Sequence, residues 1–254
     1  MKPFFKHAGL VGVCCLLLSG CTCIDHRADG KRAVSDDVSA GVDHAFEVVN
    51  LANDSWIIAQ ANDIAQVETT VHEGVVTIGI DTMGTDDATV KSLAIRRAQT
   101  LVNTTPTRVE ALLHWPQETN TSYLSAGLYV VSDDQVDDPE QAEHWVAIEL
   151  VGVPPGDKAR AQVVSGTSGR FKWLESFGWP QQREKAVRTF SRIGLAIEMN
   201  GDTLRVFLGD QEVYTGPNPL AGLPKLSVVL RLKGHSNYTF RSVQFSEIRV
   251  VEES

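Results

Sequence analysis

The sequence predicts an all-β protein, an antiparallel sandwich of two sheets, on three observations. From about Phe46 onward apolar residues recur mostly with period two, the pattern of strands buried on one face. Short turns rich in Gly, Asn and Asp separate those runs. Helical periodicity is missing apart from one short candidate, Gln181–Val187.

Taken in order, Val75, Ile78 and Ile80 lie on an early strand that follows a turn at Glu73 and Gly74. Arg108–Trp115 and Tyr123–Val131 are rich in aliphatic and aromatic residues, which suit a pleated, half-buried surface. Further strands are expected over His144–Val151, Ala159–Val164, Gly169–Leu174, Ile193–Met199, Thr203–Leu208, Leu226–Leu232 and Tyr238–Val251. Asn200 and Gly201 join two alternating runs, and Asn-Gly is a strong hairpin signal because both residues accept positive φ. Gly209 and Asp210 mark the next reversal, and Ser165–Gly169 reads as a turn. Trp56, Trp115 and Trp145 sit among aliphatic strand residues and are expected in the core.

The amino terminus has a different character. Lys2 and Lys6 precede an uncharged apolar run from Ala8 to Leu18. That is the layout of a secretion signal, and the run is too short to span a bilayer, which takes about 20 residues. Leu18, Ser19, Gly20 and Cys21 then resemble the lipobox of bacterial lipoproteins: an aliphatic residue, two small ones and a cysteine. The resemblance implies cleavage after Gly20 and a diacylglycerol on Cys21, with the mature protein held at a bacterial cell envelope by its lipid. Thr22 follows where an aspartate would favour inner-membrane retention, so in a Gram-negative host the outer membrane is expected. Cys14 and Cys15 leave with the signal, so no disulfide framework exists. Cys23 is left as a lone thiol, open to a second acylation, to reactivity, or to no role at all, which is the simplest reading.

Residues 21–42 are small, polar and charged, unable to bury enough surface to order themselves, and read as a flexible tether. The globular domain is expected over 43–254. Removing 20 of 254 residues leaves 234, enough for one sizeable β domain. Cleavage removes Lys2 and Lys6 and no acid, so the formal charge of -9 falls by two to -11. An acidic chain without basic runs lacks what phosphate recognition needs, which argues against nucleic-acid partners.

Several segments together are similar to the concanavalin A-like lectin/glucanase jelly rolls. They are Ser125–Val130, the acidic loop after it, His144–Glu149, Arg192–Val206 across the Asn200-Gly201 hairpin, and Phe245–Val250. The resemblance implies a jelly-roll sandwich and, as an expectation, a carbohydrate ligand. In the glucanase branch, paired acids sit on one strand as Glu-x-Asp-x-x-Glu, because retaining hydrolysis needs two carboxyl groups about 5 Å apart. No such motif is present. Glu149 and Glu198 each stand between aliphatic residues and are expected to point outward from half-buried strands.

Other chemistries find less support. The seven histidines show no metal-ligand spacing, and Ser165-Gly-Thr-Ser-Gly169 lacks the strand-turn-helix setting of a nucleophile elbow. Asp133, Asp134, Asp137, Asp138 and Glu140 crowd one loop, and calcium favours such oxygens, but without EF-hand order a solvated acidic loop is the simpler reading. No cofactor is expected, with calcium as the alternative. Aromatic residues supply the ligand-binding candidates Trp173, Phe177 and Trp179, since a rigid ring can stack on a sugar. Phe171 and Trp173 share a strand face, for which core packing is the competing and readier account; Trp179, beside Gly178 and Pro180, is expected to be exposed.

The function expected is a membrane-anchored, non-catalytic lectin-like domain that binds carbohydrate at the cell envelope. The alternatives are a structural or protein-interaction lipoprotein that meets an envelope partner, and a sugar-processing hydrolase. The last would need Glu149 or Glu198 to converge with an acid from the 133–140 loop.

Overall fold

In the computed structural model, the alternating segments pair with one another in antiparallel fashion throughout the described residues. These are 46–50, 56–61, 67–81, 91–98, 100–103, 106–116, 124–132, 138–153, 158–167, 170–176, 191–234 and 241–253. All fall within one compact unit, Asp43–Ser254. Cys21 and the tether, the acids Asp133, Asp134 and Asp137, the residues Phe177 and Trp179, and the helix expected at Gln181–Val187 lie outside the described residues.

The strands are β1 (Phe46–Asn50), β2 (Trp56–Ala61), β3 (Val67–His72), β4 (Val75–Ile80), β5 (Lys91–Arg97), β6 (Leu101–Val102), β7 (Thr107–His114) and β8 (Leu124–Ser132). After a 3-10 turn at Pro139–Gln141 come β9 (His144–Val153), β10 (Lys158–Thr167), β11 (Arg170–Ser176) and β12 (Arg192–Asn200). The last four are β13 (Thr203–Leu208), β14 (Gln211–Pro217), β15 (Lys225–Gly234) and β16 (Arg241–Glu253). They form two eight-stranded sheets among the described residues. The front sheet runs β11-β10-β9-β8-β15-β5-β2, with β6 also on β15. The back sheet runs β14-β13-β12-β7-β16-β4-β3, with β1 also on β16.

Between the sheets lies the core to which the period-two pattern points. Leu128, Ile148 and Val163 of the front sheet and Ile78, Val109, Ile197 and Phe245 of the back sheet are fully buried there. Removing each such side chain from water contributes roughly 1.5–3 kcal/mol, so a layer of this size is what holds the two sheets face to face. Trp115 joins this core, and Trp56 packs on it while only partly buried.

The turns differ in detail from the sequence expectation. Asn200 pairs with Thr203, so the two-residue loop is Gly201-Asp202, and of these only Gly201 takes positive φ, 55°. Asn200 is the last residue of its strand, and the geometry is that of a turn with glycine at its first central position. Gly209-Asp210 repeats the arrangement, with Gly209 at φ 62°. Glu73-Gly74 has both residues at positive φ, the mirror-image hairpin turn. Ser165–Thr167, read as a turn, instead continues β10, because its backbone pairs with both β9 and β11.

Candidate functional site

On β8, β9, β10 and β15, the residues that alternate with the core residues project from the outer face of the front sheet. Antiparallel pairing arranges them in rows. One row holds Val131, Trp145, Gly166 and Phe171. The next holds Val229, Tyr129, Ala147, Val164 and Trp173, and the third Arg231, Gly127, Glu149 and Gln162. The fourth holds Lys233, Ser125, Val151 and Arg160.

This face is an aromatic and charged layer rather than a wet surface. Tyr129, Trp145, Ala147, Val164 and Val229 form a second apolar cluster with Ala142, separate from the inter-sheet core. Trp145 is thus buried as the sequence suggested, but on the opposite side of the sheet. Its indole lies across Gly166, where a β-carbon would fall 2.6 Å from Cζ2 and nearer still to Nε1 and Cε2. Crossing that gap brings the indole 5.8 Å from the ring of Phe171, and on its other side 5.9 Å from Tyr129. Phe171 is 45% exposed, so the expectation of core burial fails for it: it is on the front sheet's edge strand, at the open end of an aromatic row. Trp173 is placed by its backbone at the end of the adjacent row, opposite Val164.

The polar half of the face centres on Glu149. It points away from the core, as alternation requires, but it is 1% exposed rather than outward into solvent. Its carboxylate accepts hydrogen bonds from the Tyr129 hydroxyl and from Gln162 Nε2 at 2.7 Å, and Lys233 Nζ lies 3.0 Å away. Burial alone would push this carboxyl up, but the Lys233 charge and the hydrogen bonds from Tyr129, Gln162 and Lys233 override it and hold it below the usual carboxylate range. Burial likewise works against the Lys233 ammonium, and the Glu149 charge overcomes it and raises its affinity for the proton. For Tyr129, burial and then the Glu149 charge push the hydroxyl well above its ordinary value, so it remains a donor. Gly127 makes room for this arrangement, since a β-carbon there would stand 2.8 Å from Glu149 Cγ and 2.5 Å from the Ile148 carbonyl.

A short strap closes over the cluster. Asp138 caps the Pro139–Gln141 turn by accepting from the Glu140 amide at 3.0 Å. Glu140 then reaches down to Lys233 Nζ at 2.7 Å and Arg231 Nη1 at 3.1 Å, while Asp138 meets Arg231 Nη2 at 3.3 Å. The Glu140 carbonyl accepts from Trp145 Nε1 at 3.1 Å, joining the strap to the aromatic row. Asp138 and Glu140 are therefore ion-paired with two buried cations and not part of a merely solvated acidic loop. Among the described residues no group of three His, Cys, Asp or Glu is placed to hold a metal ion.

The structure thus brings together one of the acid pairs considered from sequence, Glu149 and Glu140, on the same ammonium. What it offers is charge neutralisation. A proton donor for glycoside cleavage needs a raised pKa, whereas Glu149 is lowered and shielded from solvent. On β9 the residues that alternate with Glu149 are Trp145, Ala147, Val151 and Val153, so the strand carries one carboxylate there.

Glu198 belongs elsewhere, on the outer face of the back sheet. It joins Arg108 at 3.3 Å and Arg205 at 2.8 Å, in a ladder that continues to Glu110 and Glu212. The two guanidiniums lie 4.3 and 5.0 Å from the ring of Phe207 and cover it. Beside the ladder is a groove of about 270 Å³ lined by Glu110, Gly194, Gly209, Glu247 and Arg249 among others. Because Arg108 keeps Glu110 and Arg205 keeps Glu212 when Glu198 is removed, Glu198→Ala is expected to change the unfolding free energy by less than about 1 kcal/mol in urea denaturation. A larger loss would mean that the ladder acts as a single unit.

Sequence reasoning missed Arg231, Lys233, Tyr129 and Gln162. The available signal was the alternation in Leu230-Arg231-Leu232-Lys233, two basic residues interleaved with two leucines near the end of a strand.

No family model and no curated protein matches the sequence. Solved structures share its fold. A prokaryotic β-1,3-1,4-glucanase (lichenase) derived from a mouse hindgut metagenome is similar over 82% of this chain and 99% of its own, with TM-score 0.53 and 9% identity. LamAcat from Zobellia galactanivorans is similar over 81% of this chain and 89% of its own, with TM-score 0.51 and 15% identity. The Emp47p carbohydrate recognition domain covers 81% of this chain and 93% of its own, with TM-score 0.50 and 8% identity. The described domain is a two-sheet antiparallel jelly-roll sandwich of the kind these proteins share.

Proposed function

We propose that this chain is a lipid-anchored, non-catalytic, lectin-like domain that binds carbohydrate at the bacterial cell envelope. In this reading residues 1–20 are a signal peptide, Cys21 carries the lipid, 21–42 form the tether and 43–254 the binding domain. In a Gram-negative host the outer membrane is the expected location. The observation that carries the reading is the outer face of the front sheet. There a chain of ring contacts runs from buried Tyr129 through buried Trp145 to half-exposed Phe171, beside a row of fixed polar groups. Rings to stack on a sugar and a few oriented donors and acceptors are what a saccharide site requires. Trp173, Phe177 and Trp179, which follow Phe171 in the sequence, complete the proposed ligand-binding set. The proteins of similar fold include a lichenase and a carbohydrate recognition domain, but at 8–15% identity that likeness supports the fold, and the residues of the face support the binding.

The non-catalytic part of the reading is supported by the single, ion-paired carboxylate on β9. Two measurements test the whole. A glycan array probed with the mature protein in detergent, with and without calcium, is expected to show saturable binding that falls about tenfold or more in Phe171→Ala and Trp179→Ala. Silence across the array from a folded protein would discard the carbohydrate reading. Separately, Cys21→Ser is expected to move the protein from the membrane pellet to the soluble fraction, because acyl chains supply the anchoring. Retention in the pellet would discard the lipid anchor.

A further inference from the structure

The buried cations of the front sheet are not neutralised by the sheet that carries them. Strand β15 supplies Arg231 and Lys233, and the facing strands supply one carboxylate, Glu149. The remaining negative charge, from Asp138 and Glu140, arrives on the strap after β8. Without the strap Arg231 and Lys233 would face Glu149 alone of the acids on β8, β9, β10 and β15, with Arg160 adding a further cation in the row of Lys233. A buried charge is tolerated only with a partner, so the sheet is built to receive an anion.

The place of that anion is defined by geometry. Glu140 Oε1 sits 2.7 Å from Lys233 Nζ, 3.1 Å from Arg231 Nη1 and 3.5 Å from the Tyr129 hydroxyl oxygen. The two cations make a cradle for one carboxylate, with the Tyr129 hydroxyl, which donates to Glu149, at its side; the backbone carbonyl of Glu140 is held by the Trp145 indole. A second observation points to a ligand rather than to a purely structural lock. Gln162 is 5% exposed and spends its amide Nε2 on Glu149, while its Oε1, buried alongside the same cluster, has no hydrogen-bond partner among the described residues. Buried acceptors are rarely left so, and a hydroxyl donor would satisfy this one. A carboxylate for the cradle and a hydroxyl for Gln162, on a face whose neighbouring rows carry the Tyr129, Trp145 and Phe171 rings, are the features of a sugar that bears a carboxylate.

The strap is lightly built for a permanent part of the core. It is a single 3-10 turn of three residues, and the Glu140 and Asp138 side chains are still 25% and 26% exposed, so the cradle has an open side. Resting on the carbohydrate-binding reading and narrowing it, we infer that the strap is a built-in competitor: Glu140 occupies the cradle of a ligand carboxylate, and the domain selects acidic saccharides that displace it.

The test uses the full-length mature protein in detergent, titrated calorimetrically with a galacturonic acid trisaccharide and with a galactose trisaccharide of the same length. The acidic trisaccharide is expected to bind at least about tenfold tighter than the neutral one, as a charge-assisted pair in a partly buried site provides. Glu140→Gln keeps the shape of the strap and weakens its hold on Lys233, so it is expected to tighten the acidic ligand about fivefold and leave the neutral one unchanged. Hydrogen exchange on the unmutated protein gives a reading independent of that variant: the acidic trisaccharide should speed exchange at the Glu140 and Gln141 amides, and the neutral one should not. Equal affinity for the two trisaccharides, an unchanged acidic affinity in folded Glu140→Gln, or amides that slow on binding would each overturn the competitor while leaving carbohydrate binding in place. Failure to bind either trisaccharide, or any other glycan, would remove the parent reading and this one together.

Discussion

Lys233→Met is expected to lower the unfolding free energy by about 3–5 kcal/mol, because it strands Glu149. The methionine fills most of the volume of the lysine stem, so the loss is electrostatic rather than a cavity. Glu149 would keep its hydrogen bonds from Tyr129 and Gln162 but lose the cation that overrides its burial. Adding Glu149→Gln should recover most of the loss, since an amide in that position needs no counter-charge. A double-mutant cycle in urea reads this directly, and additive single losses would mean that the two groups are not coupled.

The pH dependence should change sign along with it. In the unmutated protein the Glu149 carboxyl is held below its unfolded value of about 4.3. Its contribution to stability is therefore complete above that value and is lost as the pH falls through the lower folded value. Glu110 contributes in the same window: burial raises its carboxyl, but hydrogen bonds from Arg249 and Arg108 outweigh that and lower it. The comparison should thus be made against Glu149→Gln, in which Glu110 is untouched. In Lys233→Met the burial of Glu149 acts unopposed by the lysine, its folded pKa rises above the unfolded value, and stability should improve as the pH is lowered from neutral toward 4. A Lys233→Met protein that instead loses stability over that range would show that Arg231 alone suffices to hold Glu149 charged.

The sandwich was legible because its inter-sheet core repeats strictly. In Leu124–Val130 or Thr107–His114 the alternate residues face the core, and period two shows in the letters. Phe46–Asn50, Trp56–Ala61, Val67–His72, Leu101–Val102, Lys91–Arg97 and Gln211–Pro217 escaped notice, and the last two lack that contrast for physical reasons. Lys91–Arg97 is buried on both faces, with Leu93 and Ile95 in the inter-sheet core and Ala94 in the second cluster, so its apolar run does not alternate. Gln211–Pro217 is an edge strand largely open to solvent, with Gly216 and Pro217 ending it, and resembles a loop in composition. The candidate site was less visible still. Alternation tells that Glu149 faces away from the core, but whether that side meets water or a second layer depends on a strap 9 residues earlier and on a lysine 84 residues later. The burial of Trp145 was similarly legible, and the side of the sheet on which it is buried was not.

Gly166→Ala is expected to destabilise the fold by about 3 kcal/mol, the upper part of the range for over-packing, although it adds one methyl group. The added carbon would occupy the plane of the Trp145 indole, which is fully buried and has little room to yield. On one side the ring meets Phe171, on the other Tyr129, and its Nε1 is tied to the Glu140 carbonyl. Displacing it would therefore loosen the strap and the exposed end of the aromatic row at once. The substitution should lower the thermal midpoint and shift tryptophan emission to the red as the indole gains water. If the face binds sugar as proposed, it should weaken glycan binding beyond what the lost stability accounts for, measured well below the unfolding transition. Phe171→Ala supplies the contrast, since it removes the exposed ring against the indole and leaves the indole's seat on Gly166 and its bond to Glu140 in place: binding should fall while the thermal midpoint stays close to that of the unmutated protein. A Gly166→Ala protein of unchanged stability would mean that the indole does not lie across the glycine, and with that the aromatic row would lose its middle member.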